Sequence, residues 1–257
     1  MENNIFEGNM SNRNSSKREH GACLICKTPL MYFNKAREMT CVFCRKSYQS
    51  HASCSSGHFV CDACHVEKGL EAIVEYCLHS EETDPIRIAM HIMEHPYIYM
   101  HGPEHHVLVG ASLLTAFFHT GGEIDLPEAL HELLRRGKEC PGGSCGFWGC
   151  CGAAVSTGMF MSIILKATPL TTHSWALSNE MTARSLHAIS SLGGPRCCKR
   201  NSFTAIKTAS AFVQEKLEIK MKIRDKITCS FYGENRECKK KACPYYPLNQ
   251  NQQSNAF

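Results

Sequence analysis

At 257 residues and a formal charge of +4, the chain has room for one medium domain with its own core plus a small one. Its basic residues are scattered too widely to argue for a polyanionic partner. The outstanding numbers are 17 cysteines and 14 histidines. An odd cysteine count, repeated C-x2-C spacing and no secretory signal argue against a disulfide scaffold, and for thiols used on metals in a reducing cytoplasm. No run reaches the roughly 18 apolar residues that a membrane helix needs, residues 153–167 being too short and interrupted, so no membrane partner is expected.

Residues 1–20 are rich in Asn, Ser and charge with no apolar cluster, which predicts a disordered tail. From there to residue 80 the ligand types come in pairs: Cys23-x2-Cys26, Cys41-x2-Cys44, Cys54-x3-His58 and Cys61-x2-Cys64. A C-x2-C knuckle turns tightly enough to aim two sulfurs at one tetrahedral zinc ion about 2.3 Å away. Eight ligands make two zinc sites, and such closed sites usually staple a fold too short to bury a core. A sequential ribbon and a cross-brace, in which pairs one and three share an ion as do pairs two and four, both fit. His51 and His65 are spare candidates, and short strands such as Met31-Tyr32-Phe33 suit either arrangement. A helix over residues 66–79 follows, with Cys77 on its apolar face as a core residue. The polar run Glu81-Glu82-Thr83-Asp84 places the domain boundary near residue 80.

Residues 81–247 read as an all-α domain with Gly/Cys-rich loops. Asp84-Pro85 is an N-cap with proline at the first helical position, and further helices are predicted from Pro103 to Gly121 and over residues 127–136, 175–191 and 202–217. His101-Gly102-Pro103-Glu104-His105-His106 contains the zinc-hydrolase pattern H-x-x-E-H. That pattern needs both histidines on one helical face, and Gly102-Pro103 puts His101 in the turn before the helix. His101, Glu104 and His105 stay candidates for moving protons or binding a metal, with a zinc hydrolase as one alternative function.

The stretch Cys140-Pro-Gly-Gly-Ser-Cys145-Gly-Phe-Trp-Gly-Cys150-Cys151-Gly152 runs into an apolar helix, and Cys197-Cys198 precedes another. Neighbouring residues on a helix point about 100° apart, so adjacent cysteines work best at a helix entrance, where the N-terminus also favours the thiolate. With Arg196, Lys199 and Arg200 nearby, Cys150, Cys151, Cys197 and Cys198 are expected to meet at one thiol or metal site with lowered pKa values. Cys229, Cys238 and Cys243-Pro244 resemble a ferredoxin-type cluster run that lacks a fourth ligand, which Cys140, Cys145 or a doublet member could supply; zinc is the competing occupant. No C-x3-C-x2-C run, Walker loop or G-x-G-x-x-G is present. Residues 248–257 are Asn/Gln-rich and read as a second disordered tail.

In order, the stretches Gly57–His65, His101–His106, Cys145–Ala154 and Gly193–Arg200 resemble a cysteine-rich bacterial and archaeal family known as domain of unknown function fifty-seven fourteen. The resemblance spans residues 20–246. It implies a family common in anaerobes, with some members fused to methyltransferase-like domains, and hence a metal- or thiol-dependent role near group transfer. Cys150-Cys151-Gly152 is also similar to the C-C-G element of heterodisulfide-reductase-type cluster domains, without their downstream C-x2-C. The expectation is a cytoplasmic redox or sulfur-handling protein with two structural zinc ions and a 4Fe-4S cluster or reactive thiols, Arg196 steadying the thiolates. Its rival is a zinc-stabilised adaptor for a methyltransferase-like or redox partner, or an RNA.

Overall fold

The two-residue period of a strand appears in one place only. In the computed structural model, which describes residues 21–252, β1 (Leu30–Thr40) and β2 (Ser47–Cys54) form an antiparallel hairpin. Its register runs from Leu30 opposite Cys54 to Thr40 opposite Ser47, with an irregularity between Tyr32 and Arg37. Between residues 21 and 60 the fully buried side chains are Cys23, Cys41, Ser53 and Cys54, so no aliphatic or aromatic residue of the hairpin reaches an interior.

The rest is helical, in keeping with the composition: nine helices against one two-stranded sheet among the described residues. Helix α1 (Asp62–His79) starts four residues before the expected residue 66, because the Cys61-x2-Cys64 knuckle is wound into its first turn. It buries Leu70, Ile73, Val74 and Cys77, and burial pushes the Cys77 thiol up to about 12. Asp84 caps α2 (Pro85–Met93), accepting hydrogen bonds from the N–H groups of Ile86 and Arg87; this is the cap that its carboxylate and the following proline predict.

Helix α3 (His105–His119) is the axis of the domain. Every residue from His105 to Phe117 is buried, so α3 must be covered all round, and α1, α2, α4 (Leu126–Lys138), α6 (Gly152–Ile164) and α8 (Cys198–Leu217) do so. Helix α7 (His173–Leu192) packs outside on α6 and α8. The core includes Phe160, set edge-on to Phe117 at 5.9 Å, with Phe203 and Phe212. A single-turn helix α5 (Ser144–Phe147) lies in the glycine-rich stretch.

Two expectations need correction. Helix α8 begins at Cys198 rather than at residue 202, because Cys197 is its N-cap and takes the Arg200 N–H on sulfur. The expected tail over residues 248–257 begins as a short helix, α9 (Pro247–Gln252); residues 253–257 and 1–20 lie outside the described residues. Between α8 and a 3-10 turn at Lys240–Ala242, residues 218–239 contain no helix or strand, yet Met221, Ile227 and Phe231 are buried in the core.

Candidate metal and thiol sites

The hairpin decides how the eight module ligands pair. The Cys23–Cys26 knuckle precedes β1 and Cys54 ends β2, opposite Leu30, so the antiparallel register carries the first and third pairs to the same end. Cys23, Cys26, Cys54 and His58 accordingly gather with all donor atoms within 4.8 Å of one another. Cys41 and Cys44 sit at the opposite end, where the chain returns: the Val42 N–H donates to the Phe59 carbonyl, and the Cys61 N–H to the Cys41 sulfur at 3.4 Å. Cys41, Cys44, Cys61 and Cys64 form the second group. This is the cross-brace.

Donor spacing fits a single ion in each group. A tetrahedron with bonds of about 2.3 Å has edges of about 3.8 Å. Cys26 and Cys54 sulfurs are 3.6 Å apart, Cys44 and Cys61 sulfurs 3.8 Å, and His58 Nδ1 lies 3.3 Å from Cys26 and 3.4 Å from Cys54. Backbone N–H groups point at the sulfurs, from Ile25 to Cys23 and from His58 to Cys54, which favours thiolate over thiol. His51 and His65 are not ligands: His51 Nδ1 faces the Phe33 carbonyl at 3.0 Å, and the buried His65 ring stacks on Tyr99 with centroids 3.6 Å apart.

The remaining site residues divide into three places. His101, Glu104 and His105 do not converge. His101 Nε2 lies 3.3 Å from Asn235 Oδ1, Glu104 Oε1 accepts the Tyr99 N–H, and His105 Nδ1 meets the Gly102 carbonyl at 3.1 Å. Helix α3 starts at His105 with Glu104 as N-cap, so the two histidines of H-x-x-E-H do not share a helical face. Among the described residues these three are not one of the close donor groups, and the hydrolase expectation loses its geometric basis.

The second place is around Cys151, the N-cap of α6. Burial, with Cys150 and Cys151 nearby, raises the Cys140 pKa; burial with Cys151 nearby raises that of Cys150. Cys198 is pushed up to about 11, chiefly by burial, with Cys151 and Cys197 adding to it. Asn201 Nδ2 donates to the Cys151 sulfur at 3.4 Å. Cys145 and Cys151 line an open pocket with Arg196, Arg200 and Asn201, closed on the far side by Leu186, Ile189 and the Gly193–Pro195 turn. Gly152 is required here: a Cβ on it would sit 2.1 Å from the His106 ring, whose Nδ1 lies 3.0 Å from the Cys140 carbonyl.

The third place is a smaller cavity on the other side of α8's first turn, lined by Cys197, Cys229, Cys238 and Cys243 together with Met100, Arg200, Phe231, Asn235 and Tyr245. Cys197 and Cys198 therefore do not meet Cys150 and Cys151 as one group. Cys197, the extended N-cap, lines the cavity of the C-terminal cysteines, whereas Cys198, the first helical residue, is buried with the Gly102 backbone and the charge of Cys151 acting on it. The expected drop in thiol pKa is also reversed: burial outweighs Arg200 at Cys197 and Lys199 at Cys198, and burial with Cys151 nearby raises Cys150. Arg196 is exposed at the pocket rim. The buried guanidinium is Arg200, which lines both cavities, donates to the Pro195 carbonyl at 3.0 Å and to Asn201 Oδ1 at 3.2 Å. Asn201 was not singled out from sequence; Arg200 was read there only as one of the charges beside Cys197 and Cys198, and His106 only as part of the histidine-rich turn. Arg200 and Asn201 follow Cys197 by three and four residues, a helical spacing visible once α8 is known to start there.

A family model described as a family of unknown function, DUF5714, matches residues 73–246. The chain belongs to that family. No curated protein and no solved structure matches it. The matched span holds all the cysteines from Cys77 to Cys243, and the eight ligands of the cross-braced module precede it.

Proposed function

We propose that this family member is a thiol-dependent redox or sulfur-handling enzyme of the reducing cytoplasm, carried on a two-zinc module. The observation that supports the reading is Cys151 itself. It stands at the N-terminus of α6, in an open pocket with Arg196 and Arg200, and its sulfur accepts a hydrogen bond from Asn201. A helix N-terminus, two guanidinium groups and an amide donor thus gather at one pocket-lining sulfur, the setting of a reactive cysteine. Cys150 and Cys198 are close enough to interact electrostatically with it, and no cysteine of the chain is in a disulfide.

In this reading the Cys151 thiolate attacks one sulfur of a disulfide or persulfide in the pocket. The S–S bond breaks, the departing sulfur leaves as a thiolate, and a mixed disulfide on Cys151 remains. A neighbouring thiol, Cys198 or Cys150, then loses its proton and attacks that mixed disulfide, releasing the second reduced sulfur and leaving an enzyme disulfide. Timed alkylation under anaerobic conditions, mapped by mass spectrometry, tests this. Cys151 is expected to react first near neutral pH, and Cys151→Ser to lose turnover of a small aromatic disulfide when a monothiol is supplied to return the enzyme disulfide to thiols. Alkylation of Cys151 no faster than free cysteine, with turnover retained in Cys151→Ser, would sink the reading. The adaptor alternative draws on Phe147 and Trp148, which are 88% and 68% exposed beside the pocket. It expects variants of these two to lose a protein partner while turnover never existed.

A further inference from the structure

The four cysteines of the smaller cavity have no part in that chemistry. They come from two distant parts of the chain: Cys197 from the entrance of α8, and Cys229, Cys238 and Cys243 from the irregular C-terminal run. Each sulfur is paired with a backbone N–H a few residues further on. Arg200 N–H points at Cys197 at 3.5 Å and Lys240 N–H at Cys238 at 3.4 Å. Phe231 and Tyr245 N–H groups serve Cys229 and Cys243. The module sulfurs of Cys23, Cys41 and Cys54 also receive backbone N–H donors, so the four cavity sulfurs share the backbone setting of the module's donor groups.

Spacing separates this group from the module sites. Each module site brings four donor atoms within 4.8 Å, and among the described residues no three of Cys197, Cys229, Cys238 and Cys243 do so. A single zinc ion needs the tighter arrangement. Four thiolates ranged more widely around one space suit a polynuclear iron–sulfur centre, which cysteine sulfurs hold from outside. The surroundings agree. The walls are largely aromatic, from Phe231, Tyr232, Tyr245 and Tyr246. Two buried cations stand by to offset the negative charge of such a centre: Arg200 on the wall itself, and Lys199, whose Nζ lies 4.8 Å from the Phe231 ring centre.

We propose that Cys197, Cys229, Cys238 and Cys243 hold one four-iron, four-sulfide cluster, with Cys197 as the ligand that pins the C-terminal run to α8. The site explains how residues 218–239 stay ordered without helix or strand. Met221, Ile227 and Phe231 fix the first part of this run in the core, and the cluster would fix the stretch beyond them that carries Cys238.

The test is full-length protein purified anaerobically, with iron, acid-labile sulfide and zinc measured together. The expected content is about four iron and four sulfide per chain in addition to zinc, with an electron paramagnetic resonance signal on reduction. Cys229→Ala and Cys238→Ala are expected to lose the iron and sulfide while keeping the zinc and the helical circular dichroism. Cys150→Ala keeps all three. Wild-type protein carrying zinc alone overturns the proposal, as does a cluster that survives Cys229→Ala and Cys238→Ala but is lost in Cys150→Ala. Should the alanine variants fail to fold, alkylation of the loaded wild type decides. The four named cysteines must be protected until the cluster is destroyed, and their reaction at the rate of unprotected thiols overturns it. A missing cluster leaves fast Cys151 alkylation and disulfide turnover untouched, so this proposal and the thiol reading fail separately.

Discussion

Stripping metal from the cross-braced module should unfold it while the helical domain stands. Between residues 21 and 60 no aliphatic or aromatic side chain is fully buried, so the roughly 1.5–3 kcal/mol that each buried Leu, Val or Phe side chain usually contributes is missing. Ordering each residue there still costs about 1–2 kcal/mol of backbone entropy. The offset has to come from the hairpin's hydrogen bonds and the two ions, at about 10–16 kcal/mol for each structural zinc. Helix α1 behaves differently, because Leu70, Ile73 and Cys77 are packed in the helical core. Hydrogen exchange read by mass spectrometry, before and after a strong zinc chelator, is the assay. Peptides covering Leu30–Thr40 and Ser47–Cys54 are expected to lose nearly all protection as two zinc equivalents leave, while α3 and α8 keep theirs. Cys26→Ser should release one equivalent, and its effect should begin at the Cys23 end. Hairpin amides that stay protected in metal-free protein would refute the reasoning, since something other than metal would then hold the fold.

Phe160→Ala removes a fully buried ring from the α3–α6 contact with Phe117, and is expected to cost about 3–5 kcal/mol in urea unfolding. Asp84→Ala removes the α2 cap and the partner of Arg224, whose Nε lies 3.0 Å from the Asp84 carboxylate. A loss of about 1–2 kcal/mol is expected from the cap, and Asp84→Asn should recover most of it. Gly152→Ala drives a methyl into the His106 ring; overpacking of this kind costs about 1–3 kcal/mol, and slower Cys151 alkylation should accompany it. Burial and the Lys199 charge hold the His105 pKa well below its ordinary 6.5. The unfolded chain therefore binds a proton below pH 6.5 that the folded chain refuses, so stability is full above that pH and falls as pH drops from it toward the folded pKa. Urea midpoints across pH 5–7.5 should show that loss, and His105→Gln should flatten it.

The ligand knuckles of the module were legible because C-x2-C is a local signal, a turn that aims two sulfurs whatever lies beyond it. Their pairing was not, because it depends on Cys54 lying opposite Leu30, a register that no residue in either knuckle announces. The helices were legible for the same local reason: Asp84-Pro85 and the apolar stripe of α1 carry their own caps and periods. The first turns of α1 and α8 were missed where cysteine occupies the cap, since Cys61 and Cys197 do not look like the usual Ser, Thr, Asp or Asn. The same blind spot joined Cys197 to Cys198. An extended N-cap and the first helical residue diverge, and only the helix boundary shows that one sulfur belongs with Cys229, Cys238 and Cys243 while the other is buried under the charge of Cys151. The buried Arg200 between the two cavities is a tertiary fact with no local mark.

The histidine-rich segment, which by its residue types suggested a third site, is better explained as a joint between the module and the thiol region. Tyr99 is its pivot. Its ring stacks on His65, one residue beyond the ligand Cys64, its N–H donates to Glu104, and its carbonyl accepts the Nζ of Lys199, one residue beyond Cys198. His101 extends the joint to Asn235, which lines the four-cysteine cavity. Ring stacking and buried charge-assisted hydrogen bonds need close geometry at every contact, so a shift of α1's first turn is passed to the entrance of α8. Loss of an ion from the Cys41, Cys44, Cys61 and Cys64 group should then disturb Cys198 and Cys197 before it disturbs α7, which packs on the outside of α6 and α8. The polar side chains that resemble a hydrolase signature in sequence thus join the module to the entrance of α8.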